Sequence, residues 1–205
     1  MSSTKRGGKR SPADNYPTPG WCVQRLIEEV QLPGGRWFEP GVGNGDIVRA
    51  VHTLRDDVQF VGIDKRNTKF IKNAGKGEKT LDEFLVGDLM KPEGRAKTLL
   101  DGPQFDVAIG NPPYSLAPAF IDLSLKCSKM VAMLLRLNYL GSEKRNDFMR
   151  SRAPDIYVLP NRPSFIQDGT TDSIEYAWFV WESARYRPSG LVRVLAPTPK
   201  EVRRG

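Results

Sequence analysis

Short apolar runs alternate with amphipathic ones along this chain, and four of the apolar runs end on, or lead straight into, a polar side chain. Arg36–Glu39 ends on Glu39, Val58–Asp64 on Asp64 and Phe84–Asp88 on Asp88, while Phe105–Gly110 leads into Asn111. Runs of this length, rich in β-branched and aromatic residues, read as strands. The stretches between them, Gly45–Leu54, Thr68–Ala74 and Leu116–Cys127, read as helices, and Pro118 falls in the first turn of the last, where proline is tolerated. An amphipathic stretch, Trp21–Val30, comes first, with Cys22, Leu26 and Val30 at helical spacing, and Pro33-Gly34-Gly35 ends it. Lys129–Leu137 is predicted to be a further apolar strand and Ser142–Arg152 a polar helix. Asp155–Leu159 and Ile174–Glu182 read as two more strands. The polar stretch Asn161–Asp172 between them has no room for a helix, so they are predicted to be antiparallel neighbours. The pattern predicts a three-layer α/β sandwich whose seven-stranded sheet is mostly parallel and ends in an antiparallel hairpin. Ligands of such sheets bind at the carboxyl ends of the strands. Glu39, Asp64, Asp88 and Asn111 all fall there.

A chain of 205 residues is long enough for one domain with a real core. No apolar run approaches the roughly 18–20 residues of a membrane span. Met1–Arg10 is basic but no apolar stretch follows, so it does not read as a secretory signal, and the expected location is the cytoplasm. Cys22 and Cys127 stand in helix-like segments without metal-type spacing, and His52 is the one histidine; buried free thiols and no metal are expected. The formal net charge of +7 favours a polyanionic partner. Basic residues gather at both ends, so residues 1–13 and 191–205 are read as basic tails around a folded unit at 14–190.

Glu39-Pro40-Gly41-Val42-Gly43-Asn44-Gly45 follows the first strand and opens a helix. Its glycines permit a tight turn and close approach of backbone to a ligand. It is not a dinucleotide fingerprint, because the third glycine comes one residue early, and its acidic start suits an ammonium or hydroxyl better than a pyrophosphate. Asp64 can hold ribose hydroxyls or serve as a helix cap. Asp88 can accept from an adenine amino group while Leu89 packs on the ring, or it is a turn aspartate. In Asn111-Pro112-Pro113-Tyr114 two prolines fix φ twice and remove two backbone donors. The loop therefore offers an amide oxygen, backbone carbonyls and a flat ring, which suits a planar, amino-bearing substrate such as adenine.

In order and spacing these loops resemble the S-adenosylmethionine-dependent methyltransferases, whose fold is Rossmann-like. Glu39-x-Gly41-x-Gly43-x-Gly45 is similar to their first motif, with Pro40 inside it. Asp64 matches their ribose-binding acid, and Asp88 with Leu89 their adenine contact. Asn111-Pro112-Pro113-Tyr114 resembles the catalytic motif of enzymes that methylate adenine N6 or cytosine N4. Pro17-Thr18-Pro19 is similar to the remaining cofactor motif, in which the threonine, here Thr18, contacts the methionine carboxylate. Asn161-Arg162-Pro163-Ser164-Phe165 resembles the motif that packs on a flipped base, so Phe165 would stack opposite Tyr114, or else anchors the hairpin as a loop aromatic. Asp168–Asp172 and Glu175-Tyr176-Ala177-Trp178 resemble phage-type DNA adenine methyltransferases. The resemblance covers about residues 14 to 184. It implies methyl transfer from S-adenosylmethionine, leaving S-adenosylhomocysteine, to adenine N6 in DNA, with base flipping and a relaxed or short target sequence. Asn111 would also face the cofactor, and Arg162, Lys91 and Arg95 are the cations expected on the nucleic-acid backbone. RNA adenine and a protein glutamine are the alternative substrates; a binding protein that keeps the fold without catalysis is the alternative from another class.

Overall fold

The computed structural model describes residues 17–66, 81–102, 104–165, 173–183 and 190–204. Eight strands form one sheet: β1 (Gly35–Pro40), β2 (Val58–Asp64), β3 (Glu83–Val86), β4 (Phe105–Gly110), β5 (Ser128–Arg136), β6 (Asp155–Val158), β7 (Tyr176–Glu182) and β8 (Val192–Val194). Their order across the sheet is β3-β2-β1-β4-β5-β7-β6-β8. Only β7 runs against its neighbours, pairing antiparallel with β5 and β6. Among the described residues the helices are α1 (Gly20–Glu29), α2 (Asp46–Leu54), α3 (Gly94–Leu100), α4 (Ala117–Cys127) and the short α5 (Asn146–Ser151).

The central strands are apolar on both sides because both faces are covered. Trp37, Phe60, Val107, Ile109, Leu134 and Trp178 face the layer of α1 and α2, and they share a core with Leu26, Ile47 and Val51. Their odd-even counterparts Phe38, Val61, Ile63, Ala108, Met133 and Phe179 pack with Leu99, Phe120 and Ile121 of α3 and α4. Buried indoles find partners: Trp178 Nε1 donates to the Cys22 carbonyl at 2.8 Å, fastening α1 to the sheet. Cys22 and Cys127 are buried free thiols, and burial pushes the Cys127 thiol up to about 11.

The three-layer sandwich and the antiparallel hairpin are as the sequence predicts, but the sheet has eight strands rather than seven. The extra one, β8, lies in the stretch read as a C-terminal tail and pairs parallel with β6. Leu195 behind it is buried, and Thr198 is bonded on both sides: Arg25 Nε donates to its hydroxyl at 2.9 Å, and its amide donates to Asn161 Oδ1 at 2.7 Å. The polar helix expected over Ser142–Arg152 is broken into a 3₁₀ turn at Glu143–Arg145 and α5. A further 3₁₀ turn, Leu137–Leu140, precedes it. Arg145 accounts for the break, since its Nε donates to the Tyr139 carbonyl and its guanidinium covers the Tyr139 ring at 4.2 Å. The helix predicted at Thr68–Ala74 and the motif at Asp168–Asp172 lie outside the described residues.

Candidate active site

Parallel register brings the carboxyl ends of β1, β2 and β4 into line, with Pro40 opposite Ile63 and Phe38 opposite Ala108. The loop after β1 is built on left-handed glycines, with φ of 79° at Gly41, 57° at Gly43 and 75° at Gly45. Side-chain-bearing residues rarely adopt that conformation. The Gly41 amide donates to the Ile63 carbonyl at 2.7 Å, and the Gly43 amide to Asp64 Oδ2 at 2.8 Å. Val42 drops onto Gly62 of β2, where an added Cβ would come within 2.4 Å of the valine methyl. With a longer bond from the Val42 amide to the same Ile63 carbonyl at 3.3 Å, the loop is stitched to the end of β2 by three hydrogen bonds and one glycine-only contact.

Glu39 is 3% exposed and its Oε2 has no hydrogen-bond partner. The Val48 amide donates to the carboxyl, but burial first, then the charges of Asp46 and Asp64, hold its pKa well above the carboxylate range. A buried acid with an orphaned oxygen is suited to an incoming ammonium or hydroxyl.

Asp64 is buried, and its Oδ1 accepts from the Arg66 amide at 2.9 Å and from Arg66 Nε at 3.3 Å. Asp88 lies two residues beyond β3, further out than predicted. The Met90 amide bonds its Oδ1 at 2.8 Å and Lys65 pairs with Oδ2 at 3.1 Å, which lowers its pKa, the amide first. Leu89 is buried beside it. Pro40 lies against the position of Gly110, 3.6 Å from where a Cβ would stand.

Asn111 leaves the end of β4, and its Nδ2 donates to Thr18 Oγ1 at 3.1 Å, joining residues 93 apart in the chain. Thr18 is buried, so the Pro17-Thr18-Pro19 segment and the loop after β4 meet inside the protein. Pro112 is buried, and the Pro113 carbonyl accepts from the Leu116 amide at 2.9 Å in the turn that leads to α4. Between them and α4, Tyr114 is 44% exposed. It meets Tyr139 edge-on at 6.3 Å. Burial pushes the Tyr139 hydroxyl up to about 12, so it remains neutral.

A cleft open to solvent is lined by Asn111, Pro112, Tyr114, Arg136, Phe165 and Tyr176 among others. Phe165 is buried with its ring tilted 61° against Tyr176 at 4.9 Å, so it shares the cleft with Tyr114.

No family model matches the sequence, and no curated protein matches it. Solved structures do. A predicted O-methyltransferase from Agrobacterium tumefaciens superposes with a TM-score of 0.57 at 17% identity, covering 86% of this chain and 83% of its own. A predicted RNA methyltransferase from Pyrococcus horikoshii gives 0.56 at 16% identity over 90% of this chain and 94% of its own. A dimethyladenosine transferase from Plasmodium falciparum gives 0.51 at 15% identity over 82% and 62%. The chain has a methyltransferase fold.

Within this methyltransferase fold the three backbone-contact candidates do not join the cleft lining. Arg162 pairs with Glu175 at 2.5 Å, and Arg95 pairs with Glu83 at the β3 edge. Lys91 is exposed, and its amide closes a turn onto the Asp88 carbonyl at 3.0 Å. Conversely, sequence reasoning passed over Arg136 and Tyr139, and named Tyr176 only within the Glu175–Trp178 motif, without a place in the site. Arg136 carried a usable signal, being the charged residue that closes the apolar run from Met130, at a strand end like Glu39 and Asp64. Among the described residues no group of acidic, histidine or cysteine side chains is placed to hold a metal ion, and no helix is long and apolar enough to cross a membrane.

Proposed function

We propose that this chain transfers a methyl group from S-adenosylmethionine to the N6 amino group of adenine in DNA. The observation that carries the reading is the Asn111-Pro112-Pro113-Tyr114 loop. Its asparagine is tied to buried Thr18, and its tyrosine stands exposed on the cleft that Asn111 and Pro112 also line.

The residues fit the cofactor. Glu39, with its orphaned oxygen, would take the ammonium, Thr18 the carboxylate, Asp64 the ribose, and Asp88 with Leu89 the adenine. Arg66 and Lys65 now pair with Asp64 and Asp88, and ribose and adenine would share or replace those contacts. When bound, S-adenosylmethionine supplies an electrophilic methyl group on sulfur.

The rest of the chemistry belongs to the loop. An adenine amino nitrogen is a weak nucleophile because its lone pair is delocalised into the ring. The Asn111 side-chain oxygen and the Pro112 carbonyl accept its two hydrogens, which returns electron density to nitrogen and favours a tetrahedral geometry. The two prolines hold those acceptors in place before the reaction, so little reorganisation is needed as charge develops. Exposed Tyr114 supplies aromatic surface for the base, and Phe165, buried against Tyr176, backs the cleft. Stacking is worth about 1–3 kcal/mol per base, against a few kcal/mol for extruding adenine from a duplex. Transfer is direct, and positioning does most of the work. A relaxed or short target sequence, with binding led by phosphate contacts, is part of this reading.

RNA adenine is the second reading, favoured by the likeness to an RNA methyltransferase and a dimethyladenosine transferase. The deciding experiment supplies labelled S-adenosylmethionine with DNA, RNA and a glutamine-bearing peptide separately, then digests the products. N6-methyladenine in DNA is the expected result. Label in RNA alone moves the assignment to RNA, and label in glutamine alone, or in nothing, overturns it.

A further inference from the structure

Arg136 closes β5, the strand beside the one that delivers Asn111. Its Nε donates to the Tyr176 hydroxyl at 3.1 Å, and the two residues are register partners across β5 and β7. Its guanidinium carbon lies 5.4 Å from the centre of the Tyr114 ring. Arg136 is therefore held at the sheet's end by one aromatic residue and laid against another, with all three side chains lining the cleft that holds Asn111. A guanidinium is a permanent, planar cation that donates and never accepts. A base seated on Tyr114, with its amino group at Asn111, would bring its edge within reach of that cation.

The edges flanking the amino group of adenine carry only acceptors, N1 on one side and N7 on the other. Beside the N1 position, guanine and thymine carry a ring N–H instead, which would face donor to donor. We propose that Arg136 is a specificity-determining residue of the cleft. It donates to N1, the ring nitrogen beside the amino group that is methylated, so the site admits adenine and rejects rings with a donor there. This rests on the adenine reading above and adds to it the atom by which the base is recognised.

The test compares oligonucleotides carrying adenine, 1-deazaadenine or 7-deazaadenine at the target, with the wild type, Arg136→Ala and Arg136→Lys. 1-Deazaadenine should lower wild-type kcat/KM about ten- to hundredfold, the size of one charge-assisted hydrogen bond, while 7-deazaadenine should not. Arg136→Ala should be slower on adenine yet no longer distinguish it from 1-deazaadenine, with Arg136→Lys between the two. Equal wild-type rates on all three substrates, or an Arg136→Ala that keeps the wild-type preference, overturns the role of Arg136 while leaving adenine methylation standing. A wild type that methylates no adenine overturns the underlying reading and this one with it. S-adenosylhomocysteine binding by calorimetry verifies that each variant is folded; should Arg136→Ala fail that check, Arg136→Gln, which keeps most of the stem, takes its place.

Discussion

At the residue scale, the sharpest division of labour is between Asn111 and Glu39. Asn111→Ala removes one of the two acceptors for the amino hydrogens, and methylation should fall at least about a hundredfold. S-adenosylhomocysteine affinity, read by calorimetry, should change far less. Glu39 works the other way. Its folded-state pKa is raised, so between the ordinary carboxylate range and that raised value the folded protein binds more protons than the unfolded one, and stability falls as pH rises. Glu39→Gln removes the buried charge. It should raise the thermal midpoint of the cofactor-free protein by a few degrees above the carboxylate range, with the difference closing in acid, while weakening cofactor binding. A melting series across pH with both proteins checks the sign. Tyr114→Ala should cost more activity on paired adenines than on looped-out ones, because only the former must be held out of a stack; initial rates on matched and bulged oligonucleotides make the comparison.

At the scale of elements, the strand ends were legible because an apolar run that stops at a carboxylate or amide leaves a mark on the sequence. β1, β2 and β4, and with them Glu39, Asp64 and Asn111, lie where the pattern puts them. β8 was hidden because it has three residues, all exposed and one of them Arg193, so neither length nor burial periodicity announces it. Its support is tertiary: Arg193 pairs with Glu29 of α1 at 2.6 Å, and Leu191 bonds Asp155. The broken helix after β5 escaped for the same kind of reason, since Arg145 and Tyr139 interact in space rather than at helical spacing. Arg136 was passed over because the apolar run was read through it to Leu137, which hid that it ends β5 between Tyr114 and Tyr176. Truncation after Ser189 should therefore destabilise the protein by about 2 kcal/mol or more through loss of Leu195 burial and the β6 pairing, measurable as a lower urea midpoint at an unchanged slope.

For the whole molecule, the +7 charge and the open cleft belong together. If nucleic acid is the partner, its affinity should fall linearly on a log–log plot against salt, with a slope of about −0.9 for each duplex phosphate neutralised. A fluorescence anisotropy titration at several salt concentrations gives that slope directly. The turnover of a short, saturating oligonucleotide should respond much less, because exposed charges attract the polymer while the loop's dipoles act inside the cleft.

The bonds that fasten the far end of the chain to α1 bear on gene order as much as on stability. Arg25 reaches Thr198 and Glu29 reaches Arg193, so the beginning and the end of the described fold share one helix as a common post. A chain whose two ends are anchored on the same ten-residue post is indifferent to where its reading begins. Joining those ends with a short linker and opening the gene elsewhere should give a permuted protein with the same sheet, the same Thr18–Asn111 bond and the same cleft.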